Sequence, residues 1–342
     1  MAITMARATV AQKTQVALET TYGQVPSSQH WKRLPTLAIH PQPNVEAASY
    51  REQGRKFSSV VVPNREWSSG TFEGAVTYGE LPFIFASLFA LPAGYPYTPG
   101  PDGDVTYVIA PSNDTGDIPA TFSLQHGDAS AHGIATGGTV VTDATLDITR
   151  ENARLSGTLL ALPFQTEQTL AVTGTPVGAT VTDVENIPVT PGSITAFMDP
   201  TFGAIGTTKL SKLLSVQLQL QGRWGPDWVL DAAQPSYLQL VELAPTATAT
   251  LRMEADAQAA SFLTKYRTGS VAYLRVTTGT NGPALGSTHY KMQLDLPFQV
   301  KNMLPYNDEG GVYGWGCDLE PIADAAAPFP MQLTVTNKWA EL

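Results

Sequence analysis

Residues 71–90, TFEGAVTYGELPFIFASLFA, change period midway. Phe72, Gly74, Val76 and Tyr78 fall on one side, and Thr71, Glu73, Ala75 and Thr77 on the other. That is the two-residue repeat of a strand with one buried face. From Glu80 onward, Leu81, Phe83, Ile84, Phe85, Leu88 and Phe89 cover every side of a helix. The stretch predicts a half-buried strand running into a helix with no polar face. Such a helix needs apolar walls all round, expected here from its own sheet and from a neighbouring subunit.

The pattern recurs 177 positions later, at 248–267, TATATLRMEADAQAASFLTK. Ala249, Leu251, Met253 and Ala255 alternate there, and a second helix follows near Ala257–Tyr266. Later segments correspond in kind: strand material at Thr106–Ile109 and Val271–Val276, alternating stretches at 120–125 and 290–296, and hairpins at 140–162 and 299–319. Alternation in SVQLQLQ (215–221), YKMQLDL (290–296) and QLTVTNK (332–338) adds antiparallel sheet with one buried face. Gly/Pro/Asp/Asn clusters at 92–104, 111–119 and 174–178 punctuate it. The expected fold is mainly β: two tandem sandwich- or barrel-like domains, each with one short helix, in the pattern of an internal duplication. The layout is an N-terminal arm (1–30), a first β-domain (31–165), an extended connection (166–210) and a second β-domain (211–342).

Composition narrows the class. The chain has 342 residues, 43% of them apolar, enough for a substantial core. Only 15% are charged, against about 25% in an average soluble protein. Such a surface suits a subunit covered largely by its own copies. The first 20 residues hold no apolar run long enough for a signal peptide. One cysteine, Cys317, excludes an internal disulfide and any cysteine-rich zinc site. Folding in a cytoplasm is expected.

The net charge of −10 is unevenly spread. Residues 66–149 contain no Lys or Arg but ten acids: Glu66, Glu73, Glu80, Asp102, Asp104, Asp114, Asp117, Asp128, Asp143 and Asp147. Residues 1–65 hold eight Lys/Arg against three acids. The split reads either as solvated loops or as complementary surfaces for stacking identical subunits.

Motifs for chemistry are scarce. His126, Asp128 and His132 form the only histidine cluster, and polar loop residues account for it better than a metal site. The chain lacks HExxH, CxxC and GxSxG. Gly310, Gly311, Gly314 and Gly316 do not have phosphate-loop spacing and suit a tight turn with close strand approach. No catalytic residue, metal or cofactor is expected.

QVALETTYG (15–23), then PQPNVEAASYREQGRKF (41–57), then the strand–helix of 71–90 form an order that resembles major tail tube proteins of long, non-contractile-tailed (siphovirus-type) bacteriophages. HGDASAHGIATGGTVVTDATLDI (126–148), VTPGSITAFMDPTFGAIGTTKL (189–210) and DEGGVYGWGCDLEPI (308–322) extend the likeness over most of the chain. The resemblance implies a non-enzymatic virion protein that self-assembles into stacked rings, through whose lumen the genome is ejected. Two tube folds per chain favour trimeric rings with pseudo-sixfold symmetry, and one fold would give hexamers. The implied partners are itself, tape measure, tail terminator and tail-tip proteins, and passing DNA without sequence-specific binding; no membrane is involved. The alternative is another phage β-sandwich protein, at the tail tip or decorating the capsid.

On this reading the ten acids of 66–149 line the lumen or the ring-stacking face, because cations on the wall would hold DNA phosphates. Residues 1–25 and loop 41–57 are expected to reach a neighbouring ring through Arg7, Lys13, Arg51, Arg55 and Lys56.

Overall fold

The computed structural model describes residues 12–26, 30–128, 133–168, 170–175, 179–228 and 239–342. The chain is mainly β, with 51% strand, 9% helix and no closed barrel among the described residues. Its first half contains β1 (Lys13–Leu18), β2 (His30–Arg33), β3 (Ala38–Tyr50), β4 (Val60–Ala75), α1 (Leu81–Leu88), β5 (Val105–Ile109), β6 (Phe122–Gly127), β7 (Gly133–Thr149), β8 (Ala153–Ala161) and β9 (Gln165–Gln168). There follow β10 (Thr180–Asp183), β11 (Thr195–Asp199), β12 (Lys209–Leu210), β13 (Leu213–Gln221), β14 (Trp224–Asp227), β15 (Gln239–Glu242), β16 (Thr246–Glu254) and α2 (Ala257–Thr268). The chain closes with β17 (Ala272–Thr277), β18 (Ala284–Leu285), β19 (Thr288–His289), β20 (Lys291–Met303), β21 (Asn307–Asp308), β22 (Tyr313–Pro321) and β23 (Gln332–Asn337).

The ladders repeat. The first half runs β3–β4–β8–β7–β6–β1–β2. The second runs β13–β16–β22–β20–β17–β11–β12. Each half places its helix directly after the second strand of its order. Registers agree as well: Phe72 faces Ile39 and Gly157, as Leu251 faces Val216 and Cys317. Even a bulge recurs, between Val141 and Asp143 in one half and between Val300 and Asn302 in the other. The likeness of 71–90 to 248–267 is therefore a repeated topology. It begins within the stretch read as connection, because β11 and β12 pair as β1 and β2 do. Likewise, β1 is no free arm; it is laddered to β6 from Lys13 to Leu18.

The halves are joined edge to edge. β13 pairs with the C-terminal half of β7, from Ser215 opposite Thr149 to Leu220 opposite Ala144. One sheet, β3–β4–β8–β7–β13–β16–β22–β20, thus crosses both halves. Its buried face contributes to a single core that runs from Val16 to Leu342.

All eight residues of α1 are buried. The walls come from its own chain, from β7, β5 and β23, so the neighbouring subunit expected from the sequence is not needed. Trp224 Nε1 donates to the carbonyl of Leu88 at 2.9 Å near the helix end. α2 is amphipathic instead and buries only Ala259 and Phe262. The Asp256 carboxylate caps it, accepting from the N–H groups of Gln258 and Ala259, and Gly269 at φ +61° ends it.

Candidate functional site

The far face of the eight-stranded sheet is polar. Cross-strand partners share a face, so the ladders define its rows. One row runs Glu73, Ser156, Thr145, Gln219, Thr248. The next runs Arg154, Asp147, Gln217, Thr250, Asp318, Asn302. Hydroxyls and amides dominate, and several are tied down: Thr250 Oγ1 donates to Asp318 at 2.8 Å, and Asp143 accepts from Thr142, from Thr158 and from the Gly222 N–H. Alternation makes this wall, as in β13 and β16, where every second residue through the centre of the strand is held in the core.

The sheet ends in two open edges. Among the described residues β3 pairs only with β4. At the other end, Met303 at the close of β20 and Asn307–Asp308 of β21 pair, among the described residues, with β22 alone, and the Leu304 N–H between them donates to the Gly316 carbonyl. These edges are counterparts of the two strands already joined inside the chain. β3 corresponds to β13, and 303–308 corresponds to the part of β7 that β13 covers. Tyr306 stacks on Tyr313 at 4.6 Å and lies 4.8 Å from Trp315. Tyr306 and Tyr313 are nevertheless 48% and 62% exposed. Pro41, Pro43 and Pro305 lie along the two edges, where a missing N–H is tolerated.

Beyond Asn44 and Trp67 the β3–β4 hairpin leaves the sheet and projects. Val45, Tyr50 and Phe57 are 57%, 60% and 83% exposed. Its counterpart in the second half folds down. Gly222, at φ +69°, starts the bend, and Arg223 anchors it by pairing with Asp117 and with Glu242 at 2.8 Å. Trp224 then packs on Val140 and Leu160.

The ten acids part company. Glu73, Asp143 and Asp147 lie on the polar face. Glu66 is half-buried beside Val45 in the hairpin. Asp114 is exposed and Asp104 half-buried in loops, and Asp102 accepts from the Ser287 N–H at 2.7 Å and from its hydroxyl, which holds its carboxyl below the usual range. Asp128 is half-buried after β6. Two acids leave the proposed surface set. Glu80, 1% exposed, accepts from the N–H groups of Thr36 and Leu37 and from the Thr77 hydroxyl. The Asp117 side chain, 7% exposed, lies against Arg223. Sequence spacing alone cannot reveal a buried donor set.

Of the basic residues, Arg51, Arg55 and Lys56 sit at the exposed hairpin end, where Arg55 pairs with Glu52 at 2.6 Å. Lys13 is exposed on β1; Arg7 lies outside the described residues. His126 Nδ1 lies 2.9 Å from the Thr14 hydroxyl, and burial, with His40 nearby, pulls its pKa down. His132 lies outside the described residues, and among those described no three His, Cys, Asp or Glu side chains gather as a metal site. Burial pushes the Cys317 thiol up to about 12.

No protein-family model matches the chain, and no curated protein matches it in sequence.

Proposed function

We propose that the chain is the major tail tube protein of a siphovirus-type bacteriophage. It is a structural, non-catalytic virion protein made in the host cytoplasm, whose copies close head to tail into rings and stack into the conduit for genome ejection. The observation that carries this reading is the β7–β13 ladder. It joins the two halves of one chain, while the same two edges stay bare at opposite ends of the sheet. A head-to-tail contact of this kind closes into a ring by rotation. It also uses the edge strands that a monomer would have to protect.

Two tube folds per chain favour a trimer with pseudo-sixfold symmetry. Three eight-stranded sheets then form the wall, with the Thr/Gln/Asp/Glu face turned to the lumen. DNA passes such a wall without base-specific contact. The exposed β3–β4 hairpin supplies the contact between rings. Tape measure, tail terminator and tail-tip proteins complete the assembly, and no membrane takes part.

The exposed rings of Tyr306 and Tyr313, beside the half-buried Trp315, favour one other reading, a ligand-facing patch on a tail-tip or capsid-decoration protein. Electron microscopy of the purified protein separates the two. Hollow tubes, or rings of three chains by light scattering, support the tube. Monomers that persist at high concentration overturn it.

A further inference from the structure

Each half carries a pocket between its first three strands. In the second half it has about 320 Å³ and is lined by Ala196, Lys209, Leu210 and Val216. In the first it has about 470 Å³, and its counterparts there are Thr14, Arg33, Leu34 and Ile39. The ladders give this correspondence: Gln15 faces Arg33 as Phe197 faces Lys209, and Ile39 faces Phe72 as Val216 faces Leu251.

The pockets differ in what closes them. Ile148, Thr149 and Arg150, from the β7–β8 turn of the first half, line the mouth of the second-half pocket. In the second half, Asp147 and Ile148 have as counterparts Asn307 and Asp308: Asp147 faces Arg154 as Asn307 faces Gly314, and Ile148 faces Ala153 as Asp308 faces Tyr313. Within one chain that second turn lies at the far edge of the sheet from the first-half pocket.

Charge tells the same story. The first-half pocket is lined by Lys13, Arg33, His40 and His126, and among the described residues its one acid is Asp183, on Arg33 at 3.3 Å. The turn that would fill it reads Asn307, Asp308, Glu309. Asp308 is exposed and uses one carboxylate oxygen as acceptor for the Gly311 N–H. Glu309 is held by Arg252 at 3.2 Å, which leaves Asp308 the forward charge.

We propose that this basic pocket is the docking site for the Asn307–Glu309 turn of a second copy of the chain, with the Asp308 carboxylate in the place that Ile148 takes in the other pocket, beside Lys13 and Arg33. The proposal rests on the head-to-tail ring reading and adds its lock. The intrachain register carries over: Gln217 faces Asp147, so His40 of one copy faces Asn307 of the next. The contact joins unlike charges at a rim, so salt weakens it.

The test uses the full chain. His40→Cys with Asn307→Cys should give disulfide-linked dimers and trimers on oxidation, since the two positions lie at opposite edges of one chain. The buried Cys317 thiol does not compete. Asp308→Asn keeps an acceptor for the Gly311 N–H but removes the charge. Asp308→Lys and Lys13→Glu should each raise the concentration for half-assembly at least about tenfold, and combining them should restore it. If wild-type chains assemble but the cysteine pair stays uncrosslinked and Asp308→Lys assembles normally, this lock is wrong while the ring reading stands. If wild-type chains never assemble, both fall.

Discussion

The guanidinium of Arg223 rests on the carboxylate of Asp117, and each side chain is only 7% exposed. Glu242 completes the group, and the Arg223 plane lies 5.1 Å from the Trp224 ring. Burial keeps the Asp117 carboxyl above its usual range even with Arg223 beside it. The pair holds the β14–β15 hairpin down on the first half. Removing one partner strands the other charge in a dry site, which costs about 3–5 kcal/mol. Arg223→Ala should lower the denaturant midpoint accordingly. Arg223→Met with Asp117→Leu should recover part of the loss, because the apolar pair removes the two deeply buried charges while Glu242, 30% exposed, is left without its cation.

Gly157 faces Phe72 across the β4–β8 ladder, and a Cβ on it would come within 2.6 Å of the Phe72 ring and 2.0 Å of the Asp143 carbonyl. The backbone contact cannot relax by a rotamer change. Gly157→Ala should destabilise by about 1–3 kcal/mol, the usual range for overpacking. Phe72→Leu added to it should recover only part, since the Asp143 clash persists. Thermal unfolding of the three variants checks this.

Glu80 is buried at the start of α1, and desolvation raises its pKa although three donors face its oxygens. The folded chain therefore binds this proton more readily than the unfolded one. The resulting stability is present at low pH and is lost as pH rises from the usual Glu range through the raised value. Glu80→Gln removes the titration. As pH falls from neutral, the melting temperature of the wild type should gain on that of Glu80→Gln. Parallel curves for the two proteins would contradict the assignment.

Alternation made the strands legible, since Phe72, Val76, Leu251 and Met253 all face the core as their spacing requires. Asp256 and Gly269 bracket α2 by cap chemistry that a sequence carries locally. Three features could not be read this way. α1 packs against β5 and β23 as well as β7, and β5 and β23 lie more than 200 positions apart in the chain, so no window contains both. The short strands β11 and β12 have little pattern of their own and are defined by pairing. The fates of Glu80 and Asp117 depended on donors at Thr36, Leu37 and Arg223, far off in sequence. The open edges were legible only once the repeat was aligned strand by strand.

The projecting β3–β4 hairpin separates folding from stacking. Its outer part, from Val45 to Arg65, is exposed or half-buried along its whole length and packs on no core. Glu46 and Arg65 already face each other, 3.7 Å apart at their charged ends. Replacing residues 47–64 by a two-residue Asn-Gly turn joins these positions in register. Surface changes that remove no buried contact usually alter stability by less than about 0.5 kcal/mol. The shortened chain should therefore unfold at nearly the wild-type temperature and still form rings, because the β3 edge up to Asn44 is intact. It should not form long tubes, since Tyr50, Phe57 and the basic residues Arg51, Arg55 and Lys56 are gone. Electron microscopy beside a melting curve decides it, and tubes of wild-type length from a stably folded shortened chain would remove the hairpin from the stacking contact.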